Sequence, residues 1–296
     1  MTNGGCFGRL AAAAVILLAT ALPGAADGVS QFEQKIRPQL PPNSFTYANA
    51  KALGDNAFVL EDVVVMLPAD ATGGTKAEPV AIKRVTVENF DFAGLDKRVP
   101  LFLKIRIEGI TVAGKPAVGV DLNKVAGIDQ VIADFALDYR VDPDRKTLTL
   151  GKLELDIGGR ARFELSLVLD GVSPDLAGKP DAAMKDATLR TATLTFEDRS
   201  LLGKVVPAAA RLQGTDVDAI MKQAKTMFDG MRAGQSAATL AVFDALGSYL
   251  DDYKHPKGPL KITVNPPNKA SAAALGDIKS PDDAVKALGL VVSYGG

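Results

Sequence analysis

Seven segments of the chain alternate apolar and polar residues, which is the period of a β-strand with one covered face and one solvated face. They are residues 58–67, 80–92, 101–112, 131–141, 148–157, 163–169 and 192–196. Gly, Pro, Asp and Asn separate them, and no helical period intervenes between residues 58 and 112. Because parallel neighbours need long crossovers, the pattern predicts an antiparallel meander over residues 58–199.

The stretch LELDIGGRARFELSLVL at residues 153–169 joins two of these segments through a Gly-Gly pair. A two-residue loop would place Ile157 opposite Arg160 and mix apolar with charged side chains on both faces. A three-residue loop pairs Ile157 with Ala161 and keeps the apolar residues on one face. The sequence therefore predicts an antiparallel hairpin with a three-residue loop, one glycine of positive φ and one covered face.

Several segments change phase partway along. The apolar positions shift parity between residues 82 and 85, 107 and 110, and 150 and 153. An extra residue at each place would keep the apolar face inward, and such β-bulges bend a strand and increase its twist. We therefore expect a strongly curved sheet.

Two hairpins in the meander resemble each other. Residues 83–92 match residues 146–155, and residues 101–111 match residues 163–173. Each second strand ends in an apolar residue, an acid, glycine and another apolar residue. The match predicts a duplicated hairpin unit with a period of about 60 residues. Chance similarity is the alternative, because alternation alone produces many of the matches.

Three amphipathic helical segments follow the meander. The first covers residues 200–213 and contains Pro207, which is expected to bend it. The second begins after an N-cap at Thr215, with Asp218 completing a capping box. The third covers about residues 236–253. The apolar stripe of the second helix comprises Val217, Ile220, Met221, Ala224, Met227, Phe228 and Met231.

Two short strands and a helix close the chain. Residues 260–264 and 290–294 alternate as strands, and residues 280–289 have a serine N-cap, a first-turn proline and a glycine stop. The whole pattern predicts an α+β fold in which a strongly curved antiparallel β-meander packs on three amphipathic helices that bury its apolar side.

This arrangement favours a single domain over residues 27–296. Within it we expect a polar, proline-rich lead-in at residues 27–57 and the β-meander at residues 58–199. Residues 200–296 then supply the helices and the closing strands.

The first 26 residues have the pattern of a secretory signal peptide. Arg9 precedes an apolar run at residues 10–22, and small residues lead to an expected cut after Ala26. The run is shorter than the about 20 residues that a spanning helix needs, which favours a cleaved signal over the alternative of an uncleaved anchor. Cys6 is the one cysteine, so a mature chain without it has neither disulfides nor thiolate chemistry. The leader predicts export to a bacterial periplasm, with no transmembrane span in the mature chain.

Charge excludes several classes of partner. The chain has 34 Lys and Arg against 35 Asp and Glu, interspersed along its length. Such a balance gives no basic field for nucleic acid and no polybasic run for anionic lipid headgroups. We therefore expect no nucleic-acid partner.

Few residues have the pattern of a catalytic or metal site. The single histidine, His255, lies in the loop YKHPKGP between two lysines, where a solvated loop residue is the simpler interpretation than a base or ligand. There is no GxSxG, no GxxxxGK[ST] and no GxGxxG after a strand. We expect no cofactor, no metal and no catalytic residue, although carboxylate-only chemistry stays open.

The most concentrated polar cluster is Glu197-Asp198-Arg199. It lies where the last long strand of the meander meets the first helix. Capping of that helix explains Asp198 without a catalytic role.

An apolar ligand site is the most concrete functional hypothesis. It would be a groove between the methionine-bearing stripe of the second helix and the central strands, although methionines on such a helix also serve as ordinary core residues. The candidate ligand-binding residues are Phe135, Leu137, Leu155, Leu165, Met221, Met227 and Met231.

Residues 58–173 resemble the extended β-groove and AsmA-like families of bacterial envelopes, through their alternation and the acid-Gly strand endings. The strand-to-helix sequence TLTFEDRSLLGK at residues 193–204 is similar to that of exported proteobacterial β-meander proteins of uncharacterised function. The first resemblance implies lipid handling in the cell envelope, and the second implies no activity.

Two non-enzymatic functions fit this pattern. A groove between sheet and helices would bind or shield a lipid or another hydrophobic ligand in the periplasm. The alternative is a structural or interaction module of the cell envelope with a fully packed core, and a carboxylate-based hydrolase is third. More inward apolar side chains than the helices can cover would favour the groove.

Overall fold

A computed structural model describes residues 27–68, 76–95, 98–113, 130–173, 186–271, 276 and 278–295. The expected signal peptide at residues 1–26, with Cys6, lies outside the described residues.

Twelve strands in the described residues form one antiparallel sheet that does not close on itself. Its hydrogen-bonding order is β1-β3-β4-β5-β6-β7-β8-β9-β10-β12, while β2 also pairs with β3 and β11 with β9. The predicted meander is therefore confirmed. The strands are β1 (Phe45–Thr46), β2 (Asn49–Gly54), β3 (Ala57–Leu67), β4 (Glu78–Phe90), β5 (Phe102–Ala113), β6 (Gln130–Asp142), β7 (Thr147–Ile157), β8 (Ala161–Asp170), β9 (Thr188–Asp198), β10 (Leu260–Val264), β11 (Ala270–Ser271) and β12 (Leu290–Tyr294).

Helices lie at both ends of the meander. A short helix α1 (Gly28–Gln31) continues into a π-helical turn (Phe32–Ile36) and a 3₁₀ turn (Arg37–Gln39). The C-terminal helices are α2 (Leu201–Leu212), α3 (Val217–Arg232), α4 (Ala237–Asp251) and α5 (Pro281–Leu288). With the sheet they make the α+β fold that the sequence predicts.

The hairpin β7–β8 has the predicted three-residue loop. Ile157 pairs with Ala161, and the Arg160 N–H donates to the Ile157 carbonyl at 2.8 Å. Gly158 and Gly159 both have positive φ, at 49° and 68°, where the sequence predicted one such glycine. The loop keeps the apolar residues of both strands on one face.

Two of the three predicted bulges are present. Leu150 pairs with Leu167 and Leu153 with Leu165, so β7 has one extra residue relative to β8. A register shift also separates β5 from β6 after Ile107. Both irregularities keep the apolar residues on one face.

The bulge predicted between residues 82 and 85 does not form. There β4 keeps a constant register with both β3 and β5. Its neighbours change phase at the same level, after Leu60 in β3 and after Ile107 in β5. No extra residue is needed because the three strands shift together, and the register shift falls one strand later, between β5 and β6.

A left-handed residue follows an acid within β3, within β5 and directly after β8. Asp62, Gly109 and Gly171 have φ of 52°, 68° and 75°, and each comes directly after an acidic residue. The Gly109 N–H donates to the Asp134 carboxylate at 2.7 Å, which anchors the turn of β5 to β6. The acid-Gly signal in the sequence therefore marks positions with a left-handed backbone.

The two hairpins of the repeat share one register. Val87 pairs with Ile105 in the first hairpin, and Leu150 pairs with Leu167 at the matching positions of the second. In each hairpin the register shifts directly after this pair. The equal pairing agrees with the duplicated hairpin unit, because alternation alone does not fix where a bulge falls.

One face of the sheet is apolar across nine strands. Cross-strand partners form two parallel rows that run perpendicular to the strands. The first row is Leu60, Val85, Ile107, Phe135, Leu155, Phe163, Phe196, Leu260 and Tyr294. The second row is Phe58, Val87, Ile105, Leu137, Leu153, Leu165, Leu194, Ile262 and Val292.

The N-terminal end of this face is covered. Phe32, from the π-helical turn, contacts the ring of Phe58 with a centroid distance of 5.2 Å, and Phe58 lies 6.3 Å from Phe92. Leu60 and Val63 of β3 are fully buried in the same cluster. The segment that the sequence describes as a polar lead-in thus contains α1, β1 and β2 and supplies part of the core.

The C-terminal end is covered by α4, which packs mainly on β12. The Tyr249 ring lies 6.0 Å from Phe196 and 5.2 Å from Tyr294, at the end of the first row. Next along, α3 packs mainly on α4, with Phe228 edge-on to Phe243 at 5.9 Å. The helices therefore cover one end of the face, whereas the sequence predicted that they would bury the whole apolar side.

The reason is size. Nine strands side by side extend about 40 Å at the usual spacing. By contrast, α4 has 15 residues, a length of about 22 Å. Since α3 packs mainly on α4 and α2, it adds little cover to the middle of the sheet.

The helix caps are those that the sequence predicts, except for the N-cap of α3. Ser236 caps α4, while Ser280 and left-handed Gly289 bound α5 as predicted. The N-cap of α3 is Asp216, whose carboxylate accepts from the Ala219 N–H at 2.7 Å, and not Thr215. Asp216 is both extended and acidic, which suits the first free N–H groups and the positive end of the helix dipole.

Candidate apolar ligand site

The middle of the apolar face is only partly covered. Eight side chains of the two rows lie on β6 to β9. We call these side chains, without Phe196, the open face. They are Phe135, Leu137, Leu153, Leu155, Phe163, Leu165 and Leu194. None of the seven is fully buried, and Leu155 and Leu194 are 37% and 36% exposed.

Exposure changes along the first row. In the first row, Leu60 is buried under the N-terminal cluster and Leu260 is buried at the opposite end, while Leu155 lies open between them. The stacked rings of Phe163 and Phe196, 4.4 Å apart, mark the border with the helix-covered end. The open face is therefore an apolar strip between two covered ends.

Four of the predicted ligand residues meet on this strip. Phe135 pairs directly with Leu155 across β6 and β7. Leu137 and Leu165 lie on either side of Leu153 in the next row. The sequence thus identified a contiguous set, because strand parity alone assigns these residues to one face.

The three predicted methionines lie elsewhere. Met221, Met227 and Met231 are on α3, whose principal neighbours are α4 and α2 rather than β6, β7 or β8. Met221 and Met231 are half-buried, and Met227 is 58% exposed. The structure does not bring this stripe together with the four strand residues as a principal contact.

Sequence reasoning omitted part of the strip. Leu153 and Phe163 share the parity of the chosen residues, so the same alternation could have included them. Leu194 could not be placed in this way, because its position depends on the pairing of β8 with β9 across residues 171–187. Its exposure is a property of the assembled sheet.

A buried tyrosine hydroxyl lies beyond the covered end of the strip. The Tyr249 Oη has no hydrogen-bond partner among the described residues. Burial, together with the nearby Asp198 carboxylate and Tyr294, raises its pKa well above the ordinary value. The hydroxyl is neutral at physiological pH and packs against rings, so it provides no nucleophile.

The opposite face of the sheet is charged and internally paired. Glu154 contacts Lys152 at 2.6 Å and Arg162 at 2.8 Å, and Arg199 bridges Asp156 and Glu197 at 3.1 Å each. A cleft of about 440 Å³ on this face is lined by both signs of charge from β4 to β7. Matched charges of this kind are typical of a solvated sheet surface.

Two carboxyl groups of these ion pairs have a lowered pKa. Burial alone would raise the pKa of Glu154, but Lys152 and Arg162 outweigh it and the pKa lies below its usual range. The Arg199 guanidinium likewise lowers the pKa of Glu197. A carboxyl that donates a proton near neutral pH needs a raised pKa, which is the opposite direction.

Asp198 has the capping role that the sequence predicted. Its carboxylate accepts from the N–H groups of Ser200, Leu201 and Leu202 at 2.6–3.3 Å, so it satisfies the free donors at the start of α2. His255 lies exposed in the turn after α4. Within the described ranges, no group of three His, Cys, Asp or Glu side chains is arranged to hold a metal.

The helices of the described residues are short or polar relative to a membrane span. None of those in the described part of the chain is both long and apolar enough to cross a bilayer.

These features define a class of protein, an open antiparallel meander with one apolar face that is covered at both ends and exposed in the middle. A family model described as "Uncharacterized protein" matches residues 154–294. The match begins in β7 and ends in β12, so it includes Leu155, Phe163, Leu165 and Leu194 of the open face. A comparison with curated proteins gave no match.

Proposed function

We propose that this chain is a non-enzymatic periplasmic protein whose open face binds a hydrophobic ligand, such as the acyl chain of a lipid, and shields it from water. The observation that carries the proposal is the partial exposure of seven adjoining apolar side chains, with Leu155 and Leu194 each more than one-third exposed. Contiguous apolar surface of this kind is uncommon on soluble proteins and is typical of interaction sites.

The energetics favour a ligand. Removing apolar surface from water stabilises by about 25 cal/mol per Å². A bound chain would cover its own surface as well as that of the open face, and both terms favour binding. No charged side chain belongs to the two rows, so a charged group would gain no partner there.

The dimensions also fit. The open face extends over four strands, from β6 to β9, which is about 14 Å at the usual strand spacing. An extended acyl chain spans about 15 Å, half of the hydrocarbon thickness of a bilayer. A single chain lying along the rows would therefore contact residues from all four strands of the open face.

The proposed compartment follows from residues 1–26, which have the pattern of a cleaved export signal. The resemblance of residues 58–173 to AsmA-like and β-groove proteins supports the same assignment, because those families handle lipids in bacterial envelopes. A carrier of hydrophobic molecules has a role there, since lipids must cross an aqueous compartment.

Native mass spectrometry of the exported chain tests the proposal. The protein is purified from a periplasmic fraction, and bound molecules are released in solvent and identified. We expect an apolar adduct of fixed stoichiometry that is lost in Leu155→Arg. Ile132→Arg is the matched control. The Ile132 side chain is also exposed, but its position on β6 has the opposite parity to Phe135 and so faces the other side of the sheet.

Loss of the adduct in Leu155→Arg alone would support the open face as the site. Equal loss in both variants, or an apo mass with no uptake of added fatty acid or phospholipid, would overturn the proposal. The open face would then belong to an envelope interaction module, and its protein partner would be the next question.

A further inference from the structure

Helices α2 and α3 expose apolar side chains that do not belong to the two rows of the sheet. Leu212 at the end of α2 is 63% exposed, Met227 on α3 is 58% exposed, and Val205 on α2 is also exposed. In an ideal helix, Val205 and Leu212 are seven residues apart and so lie on the same side of α2. Helix α2 therefore presents two apolar side chains on one side that no described residue covers fully.

The two sides of α3 differ. Lys225 pairs with Asp251 at 2.5 Å and Arg232 with Asp244 at 2.7 Å, so these cations face α4. By helical spacing Met227 lies about 140° around the axis from Arg232. Met227 therefore lies on the side of α3 that turns away from α4.

The charged side chains of α2 are all positive. The helix contains Lys204 and Arg211 and no acidic residue. Lys204 has no ion-pair partner in the described part of the chain, and the Arg211 Nε donates only to the Pro207 carbonyl at 3.4 Å. The whole chain is near neutral, but α2 combines exposed apolar side chains with two cations that have no acidic partner among the described residues.

We propose that α2 docks on an anionic phospholipid surface, with Val205 and Leu212 inserted at the interface and Lys204 and Arg211 against the headgroups. Apolar side chains combined with Lys or Arg on one short helix is the composition of interfacial helices. Cations near an anionic membrane add attraction that the apolar residues alone lack.

The start of α2 lies beside the β7–β8 loop, so docking of α2 would also position the open face. The helix begins three residues after Asp198, which pairs with Ala161 at the loop end of β8. The Arg160 carbonyl accepts from the N–H groups of Arg199 and Ser200, which holds the start of α2 against the β7–β8 loop. A docked α2 would therefore hold one end of the open face close to the membrane. Ligand exchange at that contact rests on the proposed function, whereas the docking itself does not.

Vesicle flotation with the full mature chain tests the docking. Vesicles of phosphatidylcholine with a minority of phosphatidylglycerol are compared with vesicles of phosphatidylcholine alone. We expect binding to the anionic vesicles that weakens with salt. Lys204→Gln and Arg211→Gln should each weaken it about fivefold, and Leu212→Ser should weaken binding to both kinds of vesicle.

Matched controls are available on the sheet. Leu53→Ser and Val291→Ser remove apolar side chains of similar exposure from β2 and β12, and they should leave vesicle binding unchanged. No binding, equal binding to both kinds of vesicle at low salt, or equal losses in the sheet controls would overturn the docking proposal. Self-association in solution that is lost in Leu212→Ser, without vesicle binding, would also overturn it and assign the surface to a second copy.

The ligand-binding proposal and the membrane-docking proposal can be tested independently of each other. Native mass spectrometry of Lys204→Gln and Arg211→Gln should show the same apolar adduct as the unmodified chain. Loss of vesicle binding with the adduct retained removes only the membrane contact, whereas vesicle binding without any adduct removes only the ligand site.

Discussion

At the residue scale, Asp91 is a buried carboxylate that ties together the loop between β4 and β5. It accepts from the Gly94 N–H at 3.0 Å and the Leu101 N–H at 2.9 Å, and it pairs with the Arg98 guanidinium. Burial alone would raise its pKa, but the Leu101 N–H, Arg98 and the Gly94 N–H outweigh it, and the pKa lies below the ordinary value. The ionised form is therefore the one that stabilises the fold.

We expect Asp91→Asn to lower the free energy of unfolding at pH 7 by about 2 kcal/mol, the size of hydrogen bonds to a charged group. Because the folded pKa is below that of the unfolded chain, about 3.9, the contribution is complete above that pH and is lost as the pH falls through the folded value. Urea denaturation at several pH values should show the gap between the two proteins closing in acid. Asp55→Asn, at an exposed turn, is the control, and a gap independent of pH would contradict the assignment.

Gly109 is a second residue whose identity the backbone fixes. Its φ is 68°, and a Cβ there would lie 2.8 Å from the Lys83 Cβ. Gly109→Ala should destabilise by about 1–2 kcal/mol from the left-handed backbone alone. Gly230→Ala, within α3 and without a close neighbour, should instead stabilise by up to about 1 kcal/mol. Thermal denaturation of both variants would reveal the opposite signs.

At the element scale, α2 begins with an unusual cap. Ser200 occupies the N-cap position but makes no side-chain cap hydrogen bond, and Asp198 satisfies the free N–H groups from two residues earlier. Asp198→Ala should therefore cost about 1–2 kcal/mol, while Ser200→Ala should change stability by no more than about 0.5 kcal/mol. Hydrogen exchange at the start of α2 distinguishes them. A larger effect at Ser200 would show that the cap is assigned to the wrong residue.

The alternating pattern predicts the long strands of the sheet but not its short ones. The long strands could be read from the sequence because one covered face forces a period of two. The short strands β1 and β2 could not, since Asn49–Gly54 is exposed and forms a strand only by pairing with β3. The N-cap of α3 was placed one residue early, because Thr215 and Asp216 both suit a cap and only the backbone decides between them.

At the scale of the whole molecule, the gradient of burial along the first row is directly testable. Leu60 is 1% exposed and Leu155 is 37% exposed, although both are leucines in one cross-strand row. Leu60→Ala should cost about 2–5 kcal/mol, whereas Leu155→Ala should cost about 1 kcal/mol, because much of its surface is already in water. Equal losses in chemical denaturation would mean that the open face is a packed core.

Part of the candidate site could be predicted from the sequence, and part depended on how the helices pack. Strand parity identified Phe135, Leu137, Leu155 and Leu165 as residues of one face, and the pairings bring them together. The expected partnership with Met221, Met227 and Met231 depended on where α3 packs, and a helical stripe does not specify its neighbour. The methionine stripe remains a prediction as a ligand site.

The sequence by itself determined the strands of the meander, the loop of the β7–β8 hairpin and the common apolar face, because each follows from local period and turn chemistry. The tertiary structure decided which part of that face is covered. Coverage depends on contacts between distant segments, such as Phe32 with Phe58 and Tyr249 with Phe196. A period specifies that a side chain needs a cover, but only packing in three dimensions decides whether the chain itself provides it.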